Sequence, residues 1–248
     1  RKLLSFNNCY HGTTYTVASA NPDVPTYGQK RQVRGTSYYI QVDFPNEMVF
    51  SPSKIREDET LGQAAARELE ETIIREGADN IACFLFEPIQ GAEGTVLPHD
   101  DFWPIARKIC DEYNILMIAD EVMTGFGRTG KWFAMEHWNV VPDVISFAKG
   151  VSSGYMPLGG IIMSEEIYNK AINTSDPNNP WTMDYTYSGH PVNCIAGLKN
   201  IEIMERENLV DTCARKGPIF LEMLESKVKD LPIVRQVRGK GLLFTVEL

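Results

Sequence analysis

Two short apolar runs in this chain stop abruptly on a charge. Ile115-Leu116-Met117-Ile118-Ala119 ends on Asp120, and Val144-Ile145-Ser146-Phe147-Ala148 ends on Lys149, with Gly150 directly after it. Continuous apolar runs of this length, bounded by polar or glycine residues, read as buried strands of a parallel sheet. A third run, Ile81 to Phe86, ends in the same way on Glu87. If these strands lie side by side, their terminal charges share one edge of the sheet. In open α/β sheets the carboxyl edge is where ligands bind.

The stretches between the runs carry helical spacing. Leu61, Ala64, Ala65, Leu69 and Ile73 predict a helix over 58–76. Asp100 or Asp101 is placed to cap another running to about 113. Helices are also expected over 165–172, 191–206 and 208–228, and strands over 3–8, 115–121, 144–147 and 160–163. Residues 13–54 are rich in Pro, Gly, Tyr and Asn without steady periodicity and read as a long excursion. Alternating strands and helices predict an α/β fold, a mostly parallel sheet flanked by helices with parallel crossovers through to the 160–163 strand.

Bulk properties narrow the function classes. The chain has 248 residues, 43% of them hydrophobic, and a net charge of −9 with acids and bases interspersed. That balance argues against nucleic acid or an anionic membrane as partner. No stretch approaches the roughly 20 apolar residues of a spanning helix, and Arg1-Lys2-Leu3-Leu4 does not open a secretory signal. Five cysteines, Cys9, Cys83, Cys110, Cys194 and Cys213, mostly sit in apolar stretches, as expected of free thiols in a reducing cytoplasm. The four histidines, His11, His99, His137 and His190, show no metal-ligand spacing.

A carboxylate and an amine on one sheet edge suit a cofactor that needs a negative partner and a covalent amine anchor. Pyridoxal phosphate is the common cofactor of that kind, held as a Schiff base to lysine with an acid on its pyridine nitrogen. Five motifs surround the pair in order: YHG at Tyr10–Gly12, FEPIQGAEG at Phe86–Gly94, ADEVMTGFGRTG at Ala119–Gly130, SFAKGVSSGYMPL at Ser146–Leu158, and YTYSGHP at Tyr185–Pro191. Together they resemble the class III, or omega-type, pyridoxal-phosphate aminotransferases, of the aspartate-aminotransferase fold type, along nearly the whole chain. The resemblance implies a large cofactor-binding domain over residues 1–207, incomplete at its start. A connecting helix and the beginning of a smaller α+β domain would follow over 208–248. The chain then reads as a fragment, with the main phosphate-binding turn before Arg1 and the substrate-carboxylate arginine after Leu248. Arg128, in the GFGRTG turn, is expected to be structural.

The resemblance also assigns roles. Lys149 is the imine-forming amine and the proton carrier. Asp120 partners the ring nitrogen, and Glu121 serves as a structural ion-pairing or hydrogen-bonding residue. Val122, read as lying on the same strand face as Asp120, and Tyr10 flank the ring. His11 contacts substrate or makes a structural hydrogen bond, Gly12 lets the backbone approach closely, Glu87 supports by hydrogen bonding, and Gln90 approaches the ring hydroxyl. Thr186 reaches the cofactor phosphate of a neighbouring subunit, the alternative being a helix cap; this implies a homodimer with a shared site, with pairing into tetramers left open.

Relatives acting on γ-aminobutyrate or ornithine carry Glu where this chain has Ala92, with Glu93 one place off, and Gln where it has Met123. The less polar pocket leans towards pyruvate as keto-acid acceptor and an omega-amino acid or amine as donor. An aminomutase, decarboxylase or racemase of the same class, or a truncated non-catalytic homologue, are the alternatives.

Overall fold

A chain whose apolar runs are only five or six residues long can bury them fully only by laying them side by side and covering both faces with helices. The structure, a computed structural model, describes residues 1–18, 20, 38–173 and 185–248. Six strands form one sheet: β1 (Lys2–Phe6), β2 (Tyr39–Val42), β3 (Ile81–Phe86), β4 (Leu116–Asp120), β5 (Val144–Phe147) and β6 (Gly160–Met163), in the order β2-β1-β3-β4-β5-β6. The first five run parallel. The helices are α1 (Tyr15–Ala18), α2 (Leu61–Glu76), α3 (Phe102–Glu112), α4 (Glu165–Asn173), α5 (Pro191–Arg206) and α6 (Leu209–Val228). A separate antiparallel hairpin joins β7 (Gln236–Lys240) to β8 (Leu243–Glu247).

Four expectations shift. Val144–Phe147, expected as a buried strand, is only half-buried along its length. The helix foreseen from residue 58 starts at Leu61, because Thr60 makes a capping box: its hydroxyl accepts from the Gln63 N–H at 3.1 Å, and the Gln63 side chain accepts from the Thr60 N–H at 3.0 Å. Asp101 occupies the N-cap position of α3 but does not cap it; its carboxylate accepts from the Thr60 hydroxyl and pairs with His99 instead. Most plainly, β6 is antiparallel to β5, with Val144 opposite Met163 and Phe147 opposite Gly160. No α-helix lies between these strands to carry the chain back along the sheet; it reverses through a 3-10 turn at Lys149–Val151. The excursion at 13–54 contains α1, β2 and a short 3-10 turn at Pro52–Lys54, and its residues 19 and 21–37 lie outside the described residues.

The core lies between the sheet and helices α2 and α3. Phe6, Phe84, Phe86, Phe102 and Trp103 are all fully buried and interlock, with the Phe86 and Trp103 rings 4.3 Å apart. Trp103 Nε1 donates to the Pro88 carbonyl at 3.3 Å, so its one polar atom is satisfied. This cluster anchors the ends of β1 and β3, from which the site residues project. Cys9, Cys83, Cys110 and Cys213 are buried, Cys194 is half-buried, and all five are free thiols, as the sequence suggested. Among the described residues no helix is long and apolar enough to cross a membrane.

Candidate active site

The carboxyl edge of the sheet gathers the predicted acids. Phe86 is in register with Ala119 and Asp120 with Ser146, so Glu87 and Asp120 leave neighbouring strands together and Lys149 follows just beyond. Asp120 is 9% exposed. Its Oδ1 accepts from the Val122 N–H at 3.1 Å, and its Oδ2 lies 2.8 Å from His11 Nδ1. Burial would by itself favour a neutral His11. The bond to Asp120, aided by Cys9, outweighs it and raises the imidazole to about 10. His11 is therefore an imidazolium at neutral pH that donates through Nδ1 to the Asp120 carboxylate. Of the two roles open to His11, the structure shows the hydrogen bond, and it is made to the central acid.

Glu87 is 4% exposed and accepts from two backbone donors, Tyr10 N–H and Gly91 N–H, each at 2.9 Å. Burial pushes its carboxyl up to about 7, against the opposing pull of the His11 charge. Glu121 is fully buried, raised chiefly by burial, and accepts from the Ala134 N–H (2.9 Å), the Met135 N–H (3.0 Å) and the Thr124 hydroxyl. It pins the turn after β4 by hydrogen bonds and makes no ion pair among the described residues. Gln90 is fully buried; its side-chain Nε2 donates to the Asn7 carbonyl at 2.9 Å, while its Oε1 has no partner among the described residues. Arg128 meets Leu242 twice, its carbonyl accepting from the Leu242 N–H at 2.9 Å and its Nη1 donating to the Leu242 carbonyl at 3.3 Å.

The reading of Val122 needs correction. The strand ends at Asp120, so alternation along a strand does not orient Val122; it begins a turn, and its N–H closes back on Asp120. Gly12 takes φ +109°, a backbone conformation that favours glycine, and a Cβ there would meet Val17 at an ordinary 3.5 Å. Thr186 lies in an exposed turn where the Ser188 N–H donates to the Tyr185 carbonyl at 2.8 Å. It is not the cap of α5, whose N-cap position is His190 with Pro191 next. Among the described residues Thr186 makes no hydrogen bond to the other site residues.

Lys149 opens the 3-10 turn after β5 with φ +42°, a left-handed conformation that costs a side-chain-bearing residue energy and is concentrated at functional positions. The turn is held from α5: the Asn200 side-chain amide donates to the carbonyls of Gly150 (2.9 Å) and Val151 (3.1 Å). A Cβ on Gly150 would sit 2.9 Å from Phe126 Cβ, so only glycine lets the turn pack there. Lys149 is exposed and lines a cavity of about 730 Å³ with Phe126, Asn200 and Lys216. Asp120 does not line that cavity. The two charges share the strand edge, and the cavity lies on the α5–α6 side of Lys149.

The donor set fits a cationic heteroaromatic ring. Asp120 acts electrostatically on both Glu87 and Glu121, and the His11 charge acts on Glu87. Asp120 uses one acceptor position per oxygen, leaving lone pairs for a further N–H. A family model for class-III aminotransferases matches residues 1–248. The chain belongs to that family. Among curated relatives, the taurine–pyruvate aminotransferase of Bilophila wadsworthia is 37% identical over 96% of the chain, and the putrescine–pyruvate aminotransferase of Pseudomonas aeruginosa 39% identical over 76%. Among solved structures, an (S)-enantioselective omega-transaminase from Thermomicrobium roseum superposes with a TM-score of 0.88 at 40% identity over the whole chain, which covers 53% of that protein. The chain spans about half the length of the curated relatives it matches, 52% of the Bilophila protein. The class and its solved structures are pyridoxal-phosphate enzymes, and the mostly parallel sheet seen here is their fold.

Proposed function

We propose that this class-III aminotransferase moves an amino group from an omega-amino acid or amine to a keto acid such as pyruvate. When bound, pyridoxal phosphate supplies a reactive aldehyde carbon and a protonated ring that withdraws electrons from the substrate carbon. Lys149 is the amine that anchors it covalently; once released, the same amine holds and moves a proton at the substrate. Asp120 accepts the ring N–H and stabilises its positive charge. His11 is a positioning residue that holds Asp120 in place. Tyr10 and Val122 flank the ring and exclude water. The unpartnered Oε1 of Gln90 is a ready acceptor for a ring hydroxyl, while Glu87 and Gly12 shape the loop beneath.

Thr186 serves the phosphate of the neighbouring subunit in a homodimer with shared sites. Its exposure, and that of Val192, Ile195 and Leu198 on α5, support an interface on that side. Residues 1–207 form the cofactor domain and 208–248 lead into the smaller one; five free thiols fit a cytoplasmic setting. The names of the two curated relatives support pyruvate as acceptor. The carrying observation is that His11 clamps Asp120 on the strand beside the one leading to Lys149. Replacing Lys149 by Ala is expected to abolish the visible absorbance of lysine-bound cofactor and turnover together; normal turnover in that variant would refute the proposal. Dependence on added keto acid separates transfer from isomerisation.

A further inference from the structure

The loop leaving β3 is fastened on two sides. Gln90 and Val96 exchange both backbone hydrogen bonds, at 3.1 and 3.0 Å, so residues 91–95 form a closed excursion. On its near side Gly91 and Tyr10 both donate to Glu87. On its far side the Gly94 carbonyl accepts from Arg238 Nε at 2.8 Å, and the Thr95 and Thr245 hydroxyls meet at 2.9 Å. Arg238 and Thr245 face each other across β7 and β8, so one rung of the hairpin makes both contacts. Arg238 is 8% exposed, its charge met by the Glu247 carboxylate and its Nη1 also bonded to Gln236 at 3.0 Å. Gly94, at φ +89°, leaves the space: a Cβ there would lie 3.1 Å from Arg238 Nη2.

We infer that Arg238 is a positioning residue for the active site: the β7–β8 hairpin fixes the 91–95 loop through Gly94 and, by way of Gly91, Glu87 and Tyr10, sets the pose of Tyr10. The consequence for the cofactor rests on the proposed function, while the contacts stand without it. A guanidinium that merely stapled the hairpin down would stabilise the protein without controlling amides at Tyr10 and Gly91. The fork geometry of Arg suits the role, since one side chain must reach a carbonyl and a carboxylate together.

The test compares the full-length protein with Arg238→Met, the milder Thr245→Val, and Arg235→Met, which breaks only the largely exposed ion pair to Glu247. Hydrogen exchange without cofactor is expected to quicken about tenfold at Tyr10 and Gly91 in Arg238→Met, and less in Thr245→Val. The amides of α2 and all of Arg235→Met should match the parent. Titration with pyridoxal phosphate should show affinity weakened on the order of tenfold, with reduced visible circular dichroism of the bound ring. Unchanged exchange at Tyr10 and Gly91 in Arg238→Met and Thr245→Val overturns the inference, as does quickened exchange with unaltered affinity and dichroism. Should Arg238→Met fail to fold, Thr245→Val decides by the same readings. A parent that takes up no cofactor would overturn the proposed function, leaving the exchange measurements to decide the role of Arg238.

Discussion

Replacing Asp120 by Asn keeps the shape of the side chain and removes its charge. The two oxygens of Asp120 face two donors, Val122 N–H at 3.1 Å and His11 Nδ1 at 2.8 Å. Either orientation of an amide turns its NH₂ towards one of them, so one bond is lost and the charge attraction vanishes. Burial, the largest influence on His11, then works with little opposition beyond Glu87 and Cys9, and the imidazole should fall from about 10 towards its ordinary 6.5 or below. At about 1.4 kcal/mol for each tenfold change in proton affinity, the native rise is worth roughly 5 kcal/mol. Breaking a buried pair by removing one partner costs about 3–5 kcal/mol, in the same range. Because the folded value is raised, this stabilisation is fully present below pH 6.5 and is lost as pH rises through about 10. Cofactor-free Asp120→Asn should therefore unfold about 3–5 kcal/mol more easily at pH 7, and the gap to the parent should close towards pH 10. The assays are urea unfolding across pH and an NMR titration of the His11 ring. A His11 in the variant that stays charged at pH 8, or a stability gap independent of pH, would refute the reasoning.

Two further outcomes follow from the neighbouring acids. Glu121→Ala strands the Ala134 and Met135 amides and the Thr124 hydroxyl, and should cost about 3 kcal/mol or more in urea unfolding, since each buried unpaired group costs about 1–3 kcal/mol. Glu87 binds its proton more tightly when folded, up to about 7 against 4.5, so its contribution is fully present below pH 4.5 and is lost as pH rises through about 7. In Glu87→Gln the fall of unfolding free energy over that interval should flatten, read from denaturant curves at several pH values.

Several particulars were unreadable in the chain itself for identifiable reasons. Helix α2 was visible from its apolar spacing, but its start depends on which of several polar residues closes the capping box, and Thr60 does so with Gln63. Asp101 looked like a cap and became a partner of Thr60, because α2 and α3 begin close together: a Cβ on Gly62 would collide with the Asp101 carboxylate. The β6 run is apolar in either direction, and direction is set by the connection, not by composition. Arg238 carries no local signal of its role, since Gly94 lies 144 residues away in sequence.

The amino-acid order alone settled what is local and repetitive. Abrupt ends to apolar runs gave the strands and put Asp120 and Lys149 at their carboxyl ends, and motif words around them gave the family. Tertiary structure decided everything that depends on distant groups meeting: that His11 is the partner of Asp120, 109 residues on, that Glu87 ties Tyr10 to Gly91, that Val122 turns off the strand, and that a C-terminal hairpin grips the site loop. Periodicity records which face of an element is buried. Proton affinities and hydrogen-bond partners are set by what lies opposite that face, and only the folded chain brings those groups within hydrogen-bonding distance of each other.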